Sequence, residues 1–317
     1  MQRQAINENQ CITDSYVHLE ILNDWVLTYD QISTGKFESY LREISFDGIQ
    51  IYEEKIKPSI FQQGQAKKNG LCIGMFSQLS NNAIWLGKNI TGHEILTCYD
   101  QDEIMLLSPE NSTFICLSIP FHLLSNHNLQ FDHAKYGHVL GCEYSEVFYE
   151  QFIKLLANVL ENTHSIRNFA TKQQVKSEIL ELGDQYLSVL NKHHQPLKVS
   201  KQKAKNVVKK VYEILQDNKD QCYSIEDLCR ITFTSRRTLQ NCFEQITGQS
   251  PALFLKTLKL NAVRRILQNS PDEVTIGDVA IDWGFWHLSQ FSGDYKRLFG
   301  ESPSQTLLNK NSKSIVY

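Results

Sequence analysis

The feature of this sequence that most constrains its fold is a helical pattern that occurs twice near the C-terminal end. The first copy, ITFTSRRTLQNCFEQITGQSPALFL, covers residues 231–255, and the second, WGFWHLSQFSGDYKRLFGESPSQTL, covers residues 283–307. The two copies align without a gap at a spacing of 52 residues, with Phe233 on Phe285 and Gly248 on Gly300. Apolar and glycine positions that recur at matching offsets predict two similar supersecondary units.

The first copy predicts a helix-turn-helix unit over residues 224–248. Ser224 is a suitable N-cap for a short helix over 225–231, and Ser235 or Thr234 can cap a second helix that ends at Gly248. Three apolar residues of the second helix stand at i, i+4 and i+7 and predict its buried face: Leu239, Phe243 and Ile246. The candidate DNA contacts of this helix are Ser235, Arg236, Arg237, Thr238, Gln240 and Asn241.

The second copy predicts the same unit over residues 275–300, with Thr275 as the first cap and a turn at Gly284. Its second helix is expected over 287–299. The apolar face of that helix consists of Phe291, Tyr295 and Leu298. The candidate DNA contacts of this helix are His287, Ser289, Gln290, Ser292, Lys296 and Arg297. A further helix over 251–268 is predicted to connect the two units.

A helix-turn-helix unit has a physical reason to bind DNA. Its second helix fits the major groove, where exposed side chains reach base edges and flanking basic groups reach phosphates. Arginine and glutamine form bidentate contacts with guanine and adenine, respectively. Two such helices held by one connecting helix can enter successive major grooves about 34 Å apart on one face of the duplex.

The register G-F-x5-F-x3-[YF]-K-x2-F-G-x2-P-S of residues 284–304 resembles the signature of the AraC/XylS family of transcription regulators. The resemblance covers about 215–310. It implies base contacts from Arg236, Arg237, Gln240 and Asn241 in the first unit, and from His287, Ser289, Gln290 and Gly293 in the second. Family members often have arginine where this chain has Asn241 and Gly293. The strings WGFWHLSQF and SRRTLQNCF are most similar to the branch that regulates ethanolamine-utilisation operons.

The N-terminal half has a different pattern. After an irregular start over residues 1–20, short β-favouring runs alternate with polar and glycine-containing turns from about 21 to 120. About eight short strands predict a small barrel or a double-sheet jelly roll. Two amphipathic helices follow at about 143–190. The sequence therefore predicts an α+β protein with two domains, namely a cupin-like N-terminal domain with helices and an all-α double helix-turn-helix domain.

The string WVLTYDQISTGKF of residues 25–37 resembles the opening of the effector domain in the XylS-type branch. This resemblance implies a small-molecule effector inside the barrel. The candidate effector contacts are Trp25, Tyr29, Gln31, Phe37, Tyr52 and Trp85. Aromatic residues at alternating strand positions are also typical of an ordinary core, and this alternative stays open for each of them.

These patterns divide the chain into three parts. Residues 1–190 are expected to form the effector-sensing domain, 191–205 an interdomain linker, and 206–310 the DNA-binding domain. The linker is predicted because NKHHQPLKVSKQKAK is polar, basic and contains proline. The helix pair at 143–190 can form a dimer seam or can cover its own barrel, and the sequence does not choose between these roles. A homodimer would suit a DNA-binding protein because it doubles the number of half-sites.

Charge supports a DNA partner once the chain is divided. The net charge is −3, but residues 200–317 contain 17 lysines and arginines against 12 aspartates and glutamates. The basic excess therefore lies on the duplicated half, where it can neutralise phosphates. Eight cysteines without regular spacing are expected to behave as small buried hydrophobes in a reducing compartment. No signal peptide and no membrane span are expected, which predicts a cytoplasmic protein.

An enzyme is not expected. The histidine-rich segment from His122 to His138 lacks H-E-x-x-H and an H-x-H pair, and the chain has no P-loop, dinucleotide or nucleophile-elbow motif. We therefore expect neither a metal nor a cofactor. The sequence predicts a transcription regulator, by resemblance an activator that also contacts RNA polymerase. Two alternatives remain, a constitutive DNA-binding protein whose barrel only dimerises and a cupin enzyme fused to a DNA-binding domain.

Overall fold

The structure is a computed structural model. It describes residues 6–12, 15, 18, 22, 25–100, 102–125, 138–139, 142–193, 199–217, 223–269 and 274–313.

Two antiparallel sheets enclose the core of the N-terminal half. In chain order the strands are β1 (Ile6–Ile12), β2 (Val26–Gln31), β3 (Ser39–Phe46), β4 (Ile49–Ile56), β5 (Ile60–Gln65), β6 (Gly70–Gln78), β7 (Ala83–Trp85), β8 (Lys88–Ile90), β9 (Leu96–Tyr99), β10 (Glu103–Ser108), β11 (Ser112–Pro120) and β12 (His138–Val139). The first sheet has the order β1-β3-β4-β11-β6-β9-β12, and the second has the order β2-β5-β10-β7-β8. Their alternating apolar side chains meet between the sheets, which confirms the predicted β-rich domain.

Four of these strands, β1, β5, β8 and β12, were not predicted from the sequence. Residues 1–20 were expected to be irregular, yet β1 pairs with β3, with Cys11 opposite Tyr40. The segment β5, IFQQGQ, was not predicted as a strand because three glutamines hide its periodicity. It lies between β2 and β10, where the ladder satisfies its backbone. The Gln62 side chain is buried and donates to Glu54 Oε1 at 2.9 Å.

Two helices, α1 (Cys142–Glu161) and α2 (Phe169–His193), pack on the first sheet. The apolar face of α1 buries Phe152 and Leu156, and that of α2 buries Ile179 and Tyr186. The Tyr149 hydroxyl donates to a strand carbonyl, that of Phe76, at 2.8 Å. The predicted apolar stripes are therefore used within the chain, where they cover its own barrel.

The predicted linker at 191–205 is helical at both ends. Helix α2 continues to His193, and helix α3 (Val199–Asp217) begins six residues later. Residues 194–198 lie outside the described residues. Lys205, expected in the linker, is 1% exposed and its Nζ lies 2.6 Å from Glu103 Oε2 on β10. Polar composition predicted a solvated linker here, but the apolar face of α3, including Val208 and Val211, packs in the core instead.

Six helices form the remainder of the described chain: α4 (Ile225–Thr232), α5 (Arg236–Thr247), α6 (Pro251–Asn269), α7 (Ile276–Asp282), α8 (Leu288–Phe299) and α9 (Pro303–Lys313). The apolar faces of α4 and α5 and the first half of α6 belong to the same cluster as the barrel interior. Phe254 of α6 links the two parts, because its ring lies 5.1 Å from that of Phe61 and 5.8 Å from that of Phe243. The second unit has a separate core around Phe291, Tyr295 and Trp283.

Candidate nucleic-acid interface

Capping residues define the first unit. Ser224 and Asp227 form a reciprocal capping box at the start of α4. Ser235 caps α5 and accepts a hydrogen bond from the Thr238 backbone N–H at 3.2 Å, and α5 ends at Gly248 in the left-handed conformation (φ 68°). These ends confirm the predicted helix-turn-helix over residues 224–248.

The second unit is built in the same way. Thr275 caps α7 by accepting from the Asp278 N–H at 3.1 Å, Gly284 takes φ 77° in the turn, and Gly300 ends α8. His287 was predicted as the first helical residue and instead occupies the N-cap position without a side-chain cap bond. The predicted buried faces are confirmed in both units, since Leu239, Phe243, Ile246, Phe291, Tyr295 and Leu298 are all buried.

The gapless alignment fails at the turns. Phe233 aligns with Phe285, but Phe233 takes the left-handed conformation (φ 52°) and is 90% exposed, whereas Phe285 is half-buried against Phe291 with ring centroids 5.1 Å apart. In the first unit the two helix caps, Ser224 and Ser235, are 11 positions apart. In the second unit the caps, Thr275 and His287, are 12 positions apart. The extra residue displaces the aromatic position.

The candidate DNA contacts lie on the outer faces of the two recognition helices, α5 and α8. The exposed ones are Ser235, Arg236, Arg237, Asn241, His287, Ser289, Gln290, Ser292, Lys296 and Arg297, whereas Thr238 and Gln240 are half-buried. Two of the arginines already form ion pairs within the protein. Arg236 Nη1 lies 3.4 Å from Glu226 Oε1, and Arg297 Nη1 lies 3.3 Å from Asp294 Oδ1. Within the described part of the chain, Arg237 and Gln290 have neither a hydrogen bond nor an ion pair among their side-chain contacts.

Gly293 lies at the centre of the exposed face of α8. A Cβ atom built there would meet nothing within 4 Å. The protein fold itself therefore does not require glycine at this position, although glycine costs a helix about 1 kcal/mol relative to alanine. Close approach of the helix backbone to DNA is one explanation for Gly293, and a glycine without a role is the other.

Two exposed aromatic side chains beside the recognition helices were missed from sequence. Phe233 precedes α5, and the Lys210 Nζ lies 5.3 Å from its ring centroid. Trp286 precedes α8 and is 69% exposed. The alignment of Phe233 with Phe285 gave no sign that Phe233 is exposed and Phe285 half-buried. Exposed aromatic surface next to a recognition helix can pack on DNA sugars or on a protein partner.

Both recognition helices rest on the barrel at their C-terminal ends. Near the end of α5, Gly248 faces Leu107 of β10 and Ile84 of β7. At the end of α8, the Leu298 carbonyl accepts from the Gly35 N–H at 2.9 Å and from Gln31 Nε2 at 2.8 Å. The predicted base contacts begin at the opposite ends, at the N-cap residues Ser235 and His287, away from these attachments.

Strand β2 also holds the connecting helix α6 through buried polar contacts. Asn261 Oδ1 accepts from the Gln31 N–H at 2.9 Å, and Asn261 Nδ2 donates to the Gln31 carbonyl at 3.0 Å, so the amide mimics a neighbouring strand. Asp30 is fully buried. One of its oxygens lies 2.7 Å from Arg265 Nη1, and the other accepts from the Tyr212 hydroxyl at 3.1 Å. Burial and the charge of Asp30 raise the pKa of Tyr212, so this hydroxyl stays protonated as a donor.

A cavity of about 30 Å³ lies between the sheets of the barrel. Of the six candidate effector contacts, Trp25, Tyr52 and Trp85 line it. The other three have different positions: Tyr29 donates to Glu54 Oε2 at 2.9 Å, Phe37 packs against His18, and Gln31 binds the second unit. Trp85 Nε1 is buried without a hydrogen-bond partner among the described residues. The cavity holds about one water molecule, so a larger ligand requires the lining side chains to move.

The described ranges contain neither a candidate metal site nor a candidate membrane-spanning helix. No group of three or more histidine, cysteine, aspartate or glutamate side chains is arranged to hold a metal ion among the residues that the structure describes. His127 and His133 of the histidine-rich segment lie outside those residues. Over the same part of the chain, no helix combines the length and hydropathy needed to cross a bilayer.

Comparison with known proteins agrees with this geometry. Residues 228–309 match the family described as the helix-turn-helix domain. The chain is 36% identical over 107 residues to the XylDLEGF operon transcriptional activator 2 of Pseudomonas putida, a match that spans 33% of this chain and 68% of that protein. It is 34% identical over 99 residues to the XylDLEGF operon transcriptional activator of the same organism, spanning 31% of each chain.

Among solved structures, a probable AraC family transcriptional regulator from Rhodopseudomonas palustris is 32% identical. The match covers 33% of this chain and 97% of that one, with a TM-score of 0.31. Two helix-turn-helix units with exposed polar faces and regulatory relatives define a DNA-binding transcription regulator. The chain belongs to the AraC/XylS family. The relatives named above give no support to the narrower ethanolamine-operon branch.

Proposed function

We propose that this chain is a sequence-specific transcription activator in which a small molecule in the barrel controls the second helix-turn-helix unit through strand β2. The observation that supports this is the double engagement of β2. Its residue Leu27, like Trp25 just before the strand, lines the cavity, and its last residue, Gln31, binds the end of the second recognition helix. A ligand that displaces Trp25 or Leu27 must therefore also strain or displace Gln31, which lies on the same strand.

The two units respond differently because they are attached differently. The first unit shares a hydrophobic core with the barrel, so its separation would expose apolar surface. The second unit has its own core, and polar contacts to Asp30, Gln31 and Gly35 hold the second half of α6 and the end of α8 on the barrel. Exchanging the hydrogen bonds among these contacts for water costs less than separating an apolar core. We expect ligand binding to change the position of the second recognition helix relative to the first. This changes the fraction of molecules whose two recognition helices can enter successive major grooves.

The cavity indicates what kind of effector to seek. Its lining is mainly apolar, and its unsatisfied polar group is the Trp85 N–H donor. We expect a small, largely apolar molecule with one hydrogen-bond acceptor. The same proposal includes activation and contact with RNA polymerase, which the family supports. It also includes homodimerisation, because a dimer doubles the number of DNA half-sites. We assign the second copy to the outer groove between α1 and α2, where Leu155 and Leu182 lie among six polar or charged side chains.

The test has two parts. Binding sites are first selected by the purified full-length chain from a pool of random duplexes. Fluorescence anisotropy then compares a selected site with a scrambled duplex as salt increases. Equal affinity for both at every salt concentration would refute sequence-specific binding.

Thermal-shift screening of small apolar metabolites tests effector control. We expect saturable stabilisation that also alters affinity for the selected site. Trp85→Phe removes the N–H but keeps a ring, and should weaken the ligand response while leaving ligand-free DNA binding unchanged. Specific DNA binding that no ligand alters, with no stabilising ligand found, would favour the constitutive alternative.

A further inference from the structure

Three cysteines line the barrel cavity, and none has a role in the proposed function. Cys72 lies on β6, Cys98 on β9 and Cys116 on β11. All three are buried and are free thiols. Their irregular spacing along the chain is no reason to group them.

Two of the three are direct cross-strand partners. In the antiparallel pairing of β6 with β9, Cys72 stands opposite Cys98. Opposed residues of antiparallel strands have Cα atoms about 4.5–5.5 Å apart, within the range of about 4.4–6.8 Å that a disulfide spans. Cys116 is instead paired with Gly74 of β6.

The surroundings of Cys72 favour its thiolate. The interactions with the Cys98 thiol, the Ser118 hydroxyl and the Lys67 backbone all act in this direction, and the Ser118 hydroxyl oxygen lies 3.8 Å from Cys72 Sγ. These contacts outweigh burial and lower the pKa of Cys72, whereas the interaction with Cys72 and burial raise that of Cys98. Cys72 is thus the nucleophile of the pair.

We propose that Cys72 and Cys98 form a peroxide-reactive dithiol site in the wall of the barrel cavity. The cavity, about 30 Å³, suits an oxidant close to water in size, hydrogen peroxide, better than a bulky electrophile. This inference rests on the pairing of Cys72 with Cys98 in the cavity wall and on the surroundings of Cys72, and it goes beyond the proposed function.

The reaction proceeds in two balanced steps. Cys72 sulfur attacks one peroxide oxygen, forming an S–O bond as the O–O bond breaks, and the departing hydroxide takes a proton to leave as water. Cys98 sulfur then attacks the sulfenic acid sulfur, and the hydroxyl leaves with the Cys98 proton as a second water. Two thiols and one peroxide become one disulfide and two waters. The peroxide gains two electrons and each sulfur loses one.

Peptide mapping of the full-length chain tests the site without any DNA measurement. Reduced protein is treated with equimolar hydrogen peroxide, quenched with N-ethylmaleimide under denaturing conditions and digested without reductant. Trypsin leaves Cys98 and Cys116 on one peptide, so a glutamate-specific protease is added to cut after Glu103 and Glu110. We expect a Cys72–Cys98 linked peptide that dithiothreitol releases, formed at least about tenfold faster than oxidation of Cys242.

Two variants make the test sharper. Cys98→Ser should stop the reaction at Cys72 sulfenic acid, trapped by dimedone, whereas Cys116→Ser should still form the linked peptide. Thermal melting checks that both variants fold, and the wild-type mapping stands if either does not. Linkage of Cys72 to Cys116, oxidation of Cys229 before Cys72, or no disulfide at all would each overturn the proposal.

Discussion

Gln31 Nε2 lies 2.8 Å from the carbonyl oxygen of Leu298, a residue 267 positions further along the chain. The same side chain also donates to the carbonyls of Ser33 and Gly35, at 3.0 and 2.7 Å. One amide therefore joins the turn after β2 to the last turn of the second recognition helix. Carbonyls at the end of a helix lack partners within the helix, and here the barrel supplies them.

Gln31→Ala should loosen the second unit without unfolding the barrel. We expect a loss of about 1–2 kcal/mol from the missing hydrogen bonds. Backbone amides of residues 288–300 should exchange with deuterium faster, while those of the barrel sheets should not change. Affinity for a selected DNA site should change as well. Gln65→Ala, at an exposed glutamine on the same sheet, is the matched control. Unchanged exchange over 288–300 would show that this contact does not hold α8.

Arg237 and Gln290 are expected to read bases. Both are exposed, and replacing either with alanine should weaken binding to the selected site by about 1–3 kcal/mol and relax the preference at one base pair. Competition anisotropy with single-base variants of the site measures this. Arg167→Ala, an exposed arginine of the N-terminal half, removes the same charge away from the recognition helices and should change little. A loss that is equal on specific and scrambled DNA would identify phosphate contacts instead.

Gly293→Ala should have opposite effects on the stability of α8 and on the affinity for DNA. The fold has open space around this position, so alanine should stabilise α8 by about 1 kcal/mol, seen as a higher midpoint in urea. If the backbone approaches DNA closely here, the added methyl group should at the same time weaken binding to the selected site. Gly277→Ala, at the helical glycine of α7, adds a methyl group to the same unit away from the candidate DNA contacts and is the matched control. A variant with unchanged DNA affinity would mean that the glycine is incidental.

Acid should weaken the contact between the barrel and α3. Burial raises the pKa of the Glu103 carboxyl, but hydrogen bonds from Lys205 and Lys209 outweigh burial and bring the pKa below its ordinary value of 4.5. A carboxyl whose pKa is lower in the folded than in the unfolded state stabilises the protein fully at pH values above its unfolded-state pKa. This contribution is lost as the pH falls through the folded-state pKa. The free energy of unfolding should therefore decrease below about pH 4.5.

Glu103→Gln should abolish the part of this pH dependence that belongs to Glu103. At pH 7 the variant is expected to be less stable by about 1–3 kcal/mol, because Lys205 loses a charged partner. The difference between the two proteins in urea unfolding should shrink as the pH is lowered. Glu110→Gln, at an exposed carboxylate, should leave the pH profile unchanged. Parallel stability curves for wild type and Glu103→Gln would contradict the expectation.

The sequence alone determined the two helix-turn-helix units, because their signals are local. Caps such as Ser224 and Thr275 act within three residues, and the stripe of Leu239, Phe243 and Ile246 follows from helical periodicity. It also determined most of the strands, whose alternation is equally local. It missed β5, where buried glutamines replace apolar residues, and misjudged residues 199–205, where one buried ion pair involves a lysine expected to be solvated.

Only the tertiary structure decided how the two halves are joined. Asp30 with Arg265, Gln31 with Asn261 and Cys72 with Cys98 are ordinary residues in sequence, and they acquire a role because the chain brings distant strands and helices together. Hydrogen bonds and ion pairs between residues remote in sequence leave no periodic pattern. The fold creates these contacts by burying the apolar faces that the sequence does show, and the polar partners must then meet because burying them alone would be costly.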